Sequence, residues 1–259
     1  MSFPLRRVLV TNDDGIDAPG LAVLEDVAAQ IAEDVWVVAP DGDRSGASCS
    51  VSLHTPLRIH AKGPRRFAVS GTPADCVAAG LAHLVGKPVD MVLSGINAGV
   101  NIGSEVLLSG TVGAALAGAA HDVPSVALSQ AYRNLDAVPW ETSRVWAPRA
   151  LYALMAHGWA PSMFYSVNIP DAPPDQVEGL AAARVEPTRF DLSLDTRQDT
   201  RLRDYFWVRL RHHAREPAAV TDIAALRARR VAITPITLSQ TLETGFAELA
   251  AALEDATVD

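Results

Sequence analysis

Short apolar runs alternate along this chain with stretches that carry apolar residues at helical spacing, and that alternation predicts its elements. Val8-Leu9-Val10 has no polar face, which predicts a parallel strand buried on both sides. The run ends at Thr11-Asn12-Asp13-Asp14-Gly15. Leu21 to Ala32 has helical periodicity, and Val35 to Ala39 reads as a second strand, stopped by Pro40-Asp41-Gly42-Asp43. A polar loop follows, Arg44-Ser45-Gly46-Ala47-Ser48. Segments 51–60 and 66–70 read as strands of a hairpin around Lys62-Gly63-Pro64. Thr72-Pro73 supplies an N-cap and a proline for the first helical position, so a helix is expected to about Leu84. Val89 to Leu93 is another strand, ending at Ser94-Gly95-Ile96-Asn97. Thr111 to Ala120 is a helix of small residues, and Ser125 to Leu128 a further strand.

After about residue 130 the character shifts. Tyr132 to Trp140 reads as loop, Ser143 to Ala156 as an amphipathic helix and Phe164 to Ile169 as a strand. Residues 170–220 are richer in Arg, Asp and Pro and alternate as hairpins do, with strands at Leu180 to Val185 and Tyr205 to Leu210. Thr221 to Arg229 then predicts a helix, Val231 to Ile236 a strand, and 241–254 a closing helix. The class is α/β: a doubly wound, mostly parallel sheet with helices on both faces. Residues 1–130 are expected to form the catalytic core, and 131–259 to complete it and add a smaller hairpin-and-helix arm suited to contact between subunits.

Composition narrows the function. The 259 residues are 49% hydrophobic and 20% charged, enough for a packed core. The net charge of −8 disfavours capture of duplex nucleic acid through the overall field. Lys62 and Lys87 are the only lysines, and the other cations are arginines. Cys49 and Cys76 form no CxxC pair and read as reduced thiols of a cytoplasmic protein. The N-terminal apolar run is too short for a signal peptide, and no window approaches the ~18 apolar residues of a spanning helix, so no membrane partner is expected.

The candidate chemistry lies in four polar segments, each at the end of a strand or the start of a helix. Asp13 and Asp14 are adjacent carboxylates where open α/β sheets bind ligands, and like charges so placed call for a cation. Hard oxygen ligands of this kind suit Mg²⁺, Mn²⁺ or Ca²⁺. The plainer reading is an Asx-turn that caps the following helix. The segment from Pro40 to Ser48 offers hydroxyls and glycines that can approach a metal or phosphate, or is an ordinary solvated loop. Ser94-Gly95-Ile96-Asn97-Ala98-Gly99 offers a neutral oxygen ligand in Asn97, or a turn whose glycines serve only geometry. Ser109-Gly110-Thr111 opens a helix, which makes either an anion site or a common N-cap. Convergence of the four points to metal-assisted phosphoryl chemistry. There is no GxxxxGK[ST], no GxGxxG after the first strand, no HExxH and no GxSxG.

With these segments in view, the chain resembles the SurE family, the survival-protein 5′/3′-nucleotidases. The resemblance rests on VLVTNDDGIDAPGL, VVAPDGDRSGAS, SGTPADCV, DMVLSGINAGVNIG, LLSGTVGAALAG, PSVALS, VNIP and VAITPI. It is dense over the first 130 residues and sparser beyond. It implies a Rossmann-like core and hydrolysis of nucleoside 5′- and 3′-monophosphates with one divalent cation per subunit, Mg²⁺ or Mn²⁺. The implied cation ligands are Asp13, Asp14, Ser45 and Asn97, with Asp13, Asp14 and Asn97 catalytic. The implied phosphate-binding residues are Ser109, Gly110 and Thr111, and Asn12 can also position phosphate or water. Either aspartate can serve as general base. The resemblance further implies a C-terminal part that exchanges segments between subunits, in a homodimer or homotetramer. The chain departs from the family pattern at Asp41-Gly42-Asp43-Arg44, where relatives often carry Asn before the Arg.

Rival readings are weaker. A receiver domain needs a lysine late in the chain, and none follows Lys87. A haloacid-dehalogenase-like phosphatase needs an Asp-x-Asp pair, which Asn12-Asp13-Asp14 does not supply. A catalytically idle nucleotide or phosphate sensor on the same scaffold is the alternative function.

Overall fold

A computed structural model of the chain describes residues 4–212, 216–239, 245–246, 249–250 and 252–253. The first apolar run becomes the centre of β1 (Leu5–Thr11). There follow α1 (Pro19–Ile31), β2 (Ala32–Pro40), β3 (Ile59–Gly63), β4 (Arg66–Val69) and α2 (Pro73–Ala79). Next come β5 (Met91–Ala98), α3 (Gly110–Ala120), β6 (Ser125–Gln130), α4 (Trp140–His157) and β7 (Met163–Ile169). The remainder holds β8 (Leu180–Ala182), β9 (Phe190–Gln198), β10 (Asp204–His212), α5 (Asp222–Arg227) and β11 (Val231–Thr237). Nine strands make one sheet in the order β3-β4-β2-β1-β5-β6-β7-β11-β8. The strands from β4 to β7 run parallel, whereas β3 and β11 pair antiparallel to β4 and β7. This is the expected mostly parallel α/β sheet.

Helices cover both faces, which explains the uninterrupted apolar strands. Val8 and Val10 pack with Val37, Leu93, Leu24 of α1 and Leu151 of α4. Leu9, between them in sequence, faces the other way and packs with Val38, Val92, Val77 of α2 and Ala114 of α3. Each fully buried aliphatic side chain of this kind contributes about 1.5–3 kcal/mol. The chain leaves β1 for β2 on one side and returns to β5 on the other. The carboxyl ends of β1 and β5 therefore form a topological switch point, where the two connections part and leave a crevice.

The structure differs from the sequence expectations in four places. Residues 51–58 are not strand; β3 begins at Ile59, because the Ser52 N–H goes to the Asp75 carboxylate (3.0 Å) and not to a neighbouring strand. Strand β5 does not stop at Leu93, since Asn97 and Ala98 still pair with Ser129 and Gln130 after a register shift. Helix α2 widens into a π-helical turn over Gly80–Leu84. The segment at Leu180 is no hairpin strand: β8 joins the main sheet parallel to β11, where Ala181 and Ala183 pack against Ala232. The arm's hairpin is instead β9 with β10, a separate two-stranded sheet. In the closing helix expected over 241–254, residues 245–246, 249–250 and 252–253 are helical and the others lie outside the described residues. Both cysteines are free thiols. Among the described residues no helix is long and apolar enough to cross a membrane.

Gly113 shows how tightly the loop after β2 is seated. A Cβ at this helix position would lie 2.1 Å from the Ser48 carbonyl oxygen. Replacing an interior helical glycine by alanine ordinarily stabilises by about 1 kcal/mol. Here Gly113→Ala is expected to do the reverse, at a cost of about 1–3 kcal/mol, because backbone must move to make room. Urea unfolding measures the sign directly, and a gain in stability would show that the loop is not packed this closely.

Candidate active site at the carboxyl end of the sheet

The site is built from four turns that the switch point brings together. The first follows β1. Asn12 is buried and spends its side chain on the turn itself: its Nδ2 donates to the Gly15 carbonyl (2.9 Å) and its Oδ1 accepts the Gly15 N–H (3.3 Å). Neither aspartate caps α1, whose N-cap is Ala18 with no side-chain bond. The helix-capping reading of Asp13-Asp14 therefore finds no support, and only Asn12 behaves as an Asx-turn residue.

Asp13 is 4% exposed. The Thr111 hydroxyl donates to its Oδ1 at 2.5 Å, across 98 positions of sequence. The Thr111 backbone N–H also favours the ionised form of Asp13. The first turn of α3 thus places its positive end on this carboxylate. A Cβ at residue 110 would stand 2.8 Å from the Asp13 Cβ, so glycine alone lets α3 come this close. Ser109 is the N-cap, its hydroxyl accepting the Val112 N–H at 3.1 Å.

Burial nevertheless pushes Asp13 above the usual carboxylate range, the Thr111 bonds opposing and the Asp43 charge adding. Asp14 is pushed up to about 6, first by burial, then by the Asp13 charge and by Asp43, with the Ala98 N–H opposing. Among the described residues no lysine or arginine side chain pairs with either aspartate. The protein concentrates negative charge here and does not itself neutralise it.

The loop after β2 closes a second side. The Arg44 N–H donates to the Asp13 carbonyl (2.8 Å), and Ser48 is tied to Leu107 and Leu108 just before α3. Ser45 is exposed, and its hydroxyl and N–H both go to Asp43 Oδ1, at 2.6 and 2.8 Å. The structure adds Asp43 as a third carboxylate, whose charge reaches both Asp13 and Asp14. Asn97, at the end of β5, donates from Nδ2 to the Gly99 carbonyl (3.0 Å), which leaves its oxygen as a free acceptor. Gly95 and Gly99 beside it both hold positive φ. Asp13, Gly110 and Thr111 are in contact, and Asp14 and Asp43 interact through charge. No described side-chain bond joins Ser45 or Asn97 to the aspartates.

The donor set is thus two carboxylates plus neutral oxygens. Among the described residues no three His, Cys, Asp or Glu side chains gather as a metal cage. Two uncompensated, adjacent carboxylates, one buried and one half-buried, with an amide and a hydroxyl oxygen nearby nonetheless fit a hard divalent cation.

Comparison with known proteins identifies the chain's relatives. The family model described as Survival protein SurE matches residues 8–191. A 5′-nucleotidase SurE 1 of Burkholderia lata is 46% identical over 250 residues, covering 95% of this chain and 96% of that protein. A 5′-nucleotidase SurE of Bradyrhizobium diazoefficiens is 45% identical, covering 96% and 100%. The crystal structure of the SurE protein from Aquifex aeolicus superimposes with a TM-score of 0.80 at 29% identity, over 95% of this chain and 99% of that one.

The Asp14 carboxyl sets a pH test. A carboxyl raised from 3.8 to about 6 binds its proton more tightly in the folded chain than in the unfolded one. Without a cation, the fold therefore loses stability as pH rises from about 4 through about 6. Asp14→Asn removes that loss. In EDTA its Tm is expected to exceed the wild-type value at about pH 7.5, the gap narrowing toward about pH 4. A gap that does not change with pH would contradict the assignment.

Proposed function

The chain belongs to the SurE family, and from that membership and the site geometry we infer that it is a 5′-nucleotidase, a phosphomonoesterase that converts nucleoside monophosphates to nucleoside and phosphate. The observation that carries the reading is the uncompensated Asp13–Asp14 pair set against the first turn of α3. Hydrolysis extends to 3′-monophosphates on the family resemblance.

Asp13, Asp14, Ser45 and Asn97 would hold one Mg²⁺ or Mn²⁺ per subunit. When bound, such a cation supplies charge neutralisation and Lewis acidity toward a phosphoryl oxygen. The rest falls to the protein. Thr111 fixes Asp13 through its hydroxyl and N–H, so the Asp13 carboxylate cannot rotate away. That leaves the Gly110 N–H and the Ser109 hydroxyl proton at the start of α3 as donors toward the phosphate oxygens. These fixed donors stabilise charge that develops on the equatorial oxygens during transfer. Asn12 acts through the turn it closes, holding Asp13 and Asp14 at the strand end. Asp43 holds the Ser45 hydroxyl by accepting its hydrogen bond, which leaves the serine oxygen's lone pairs for a ligand.

The β9–β10 hairpin supports the second part of the proposal, that 131–259 completes the core and adds an oligomerisation arm. The register puts Leu192, Leu194, Phe206 and Val208 on one face of a two-stranded sheet, and all four are exposed. An isolated hairpin of this kind is marginally stable until its apolar face is covered. A second copy of the chain is the proposed cover, in a homodimer or homotetramer.

Two outcomes are expected. Asp13→Asn, assayed for phosphate release from 5′-AMP with Mn²⁺ or Mg²⁺, should lose more than about 100-fold in kcat/KM. Activity near wild type would remove Asp13 from the site. Multiple turnovers by the wild type separate an enzyme from an idle sensor, which binds once and releases no product. Separately, Leu194→Arg should shift the light-scattering mass toward the monomer, and an unchanged mass would place the subunit contact elsewhere.

A further inference from the structure

The stretch between Asn97 and Ser109 joins one side of the candidate site to the other, and its middle is held by residues from far along the chain. Asp222, the first residue of α5, is 1% exposed. Its Oδ2 accepts the Gly103 N–H at 2.8 Å, across 119 positions of sequence. Its Oδ1 accepts the N–H groups of Glu186 (3.0 Å) and Ile223 (2.8 Å). Burial pushes this carboxyl up and the Glu186 charge adds to it, with the three N–H groups opposing. Among the described residues no lysine or arginine side chain pairs with Asp222. Burying a carboxylate without a cation is costly. Capping α5 does not account for it, since Thr221 is the N-cap and its hydroxyl accepts the Ala224 N–H. What the buried carboxylate adds is a tie between residues 103 and 186.

Thr188 makes a second clasp beside the first. Its Oγ1 accepts the Ser104 N–H (2.9 Å), and its carbonyl accepts the Ser104 hydroxyl. Gly103 holds a φ of +55°, and a Cβ there would lie 2.6 Å from Thr188 Oγ1. From the clasped residues the chain makes a 3₁₀ turn over Gly103–Leu107. The Glu105 carbonyl in that turn accepts the N–H groups of Leu108 (2.9 Å) and Ser109 (3.1 Å), so the turn runs unbroken into the N-cap of α3. Thr188 stands two residues before β9. The turn therefore lies between the root of the hairpin arm and the donors at the start of α3.

We propose that Asp222 is a positioning residue for phosphate binding: by holding the Gly103 N–H it fixes the turn from which Ser109 and Gly110 present their donors. The proposal rests on the nucleotidase reading and deepens it. Fixed donors grip an anion only at hydrogen-bond distance, so a small shift of the turn weakens them. The turn that carries Asp13 and Asp14 follows β1 and is closed by Asn12, without a bond to Asp222.

The test separates anion binding from cation binding. Asp222→Asn keeps the side chain's shape and one acceptor oxygen, and turns an NH₂ group toward a backbone N–H. It should raise both KM for 5′-AMP and the inhibition constant of inorganic phosphate about fivefold. The Mn²⁺ affinity of the substrate-free protein, read by calorimetry, should stay within about twofold of wild type. Thr188→Val, at a partly exposed position, removes only the acceptor for the Ser104 N–H and should raise the same two constants about threefold. Asp222→Asn decides where it folds, and Thr188→Val decides where it does not. Wild-type values of both constants, or an Mn²⁺ affinity that falls in step with them, overturns the positioning role and leaves Asp222 a stabiliser of the fold. A wild type that releases no phosphate from 5′-AMP with Mn²⁺ or Mg²⁺ is a different result: it overturns the phosphatase reading itself, and the proposal with it.

Discussion

Repulsion between two consecutive carboxylates, held where water screens them poorly, is the constraint around which this protein is arranged. Asp13 and Asp14 both sit above their ordinary range, and burial is the leading cause for each. A protein optimised only for stability would place such a pair in solvent or pair it with arginines. This chain has many arginines, and they bond elsewhere: Arg7 to Asp34, Arg44 to Asp41, Arg66 to Glu25. The pair is stabilised instead by neutral donors, the Thr111 hydroxyl and N–H and the Ala98 N–H. Dipoles of this kind lower the cost of the charge without cancelling it. The uncancelled charge is what suits the candidate site to a cation.

The fold serves this arrangement through the switch point between β1 and β5. Because both strands end at one crevice, the turn after β1 and the end of β5 deliver Asp13, Asp14 and Asn97 to one place. The loop after β2 reaches the same edge because Gly113 lets it lie directly on α3, and the Arg44 N–H fastens it to the Asp13 carbonyl. Gly110 lets α3 approach from the other side. Small residues in α3 are thus less a matter of helix propensity than of distance. The helix has to stand close enough to touch both a buried carboxylate and a neighbouring loop.

Much of this was legible in the residues. The uninterrupted Val8-Leu9-Val10 run could only be a strand covered on both faces, and the hydrophobic contacts divide between two helical layers as that requires. Thr72-Pro73 opened a helix, with the Thr72 hydroxyl accepting from Asp75. The four polar segments marked the candidate site, since adjacent carboxylates and a Ser-Gly-Thr helix start are local patterns. The misreadings of strands were all matters of pairing. Whether residues 51–58 find a strand neighbour, how far β5 continues, and whether β8 joins β11 depend on partners far along the chain.

The same division separates what the sequence determined from what only tertiary structure decided. Local order determined the strand ends, the caps and the residue types able to carry phosphoryl chemistry, because those follow from neighbours within one turn or one strand. Tertiary structure decided that Thr111 would hold Asp13 from 98 positions away, that Asp43 would add its charge and clasp Ser45, and that Asp222 would hold the Gly103 N–H. The physical reason is that hydrogen bonds and buried charges act over a few ångströms. Which residues lie within that reach is set by the order of strands in the sheet, and that order emerges only when the whole core has packed.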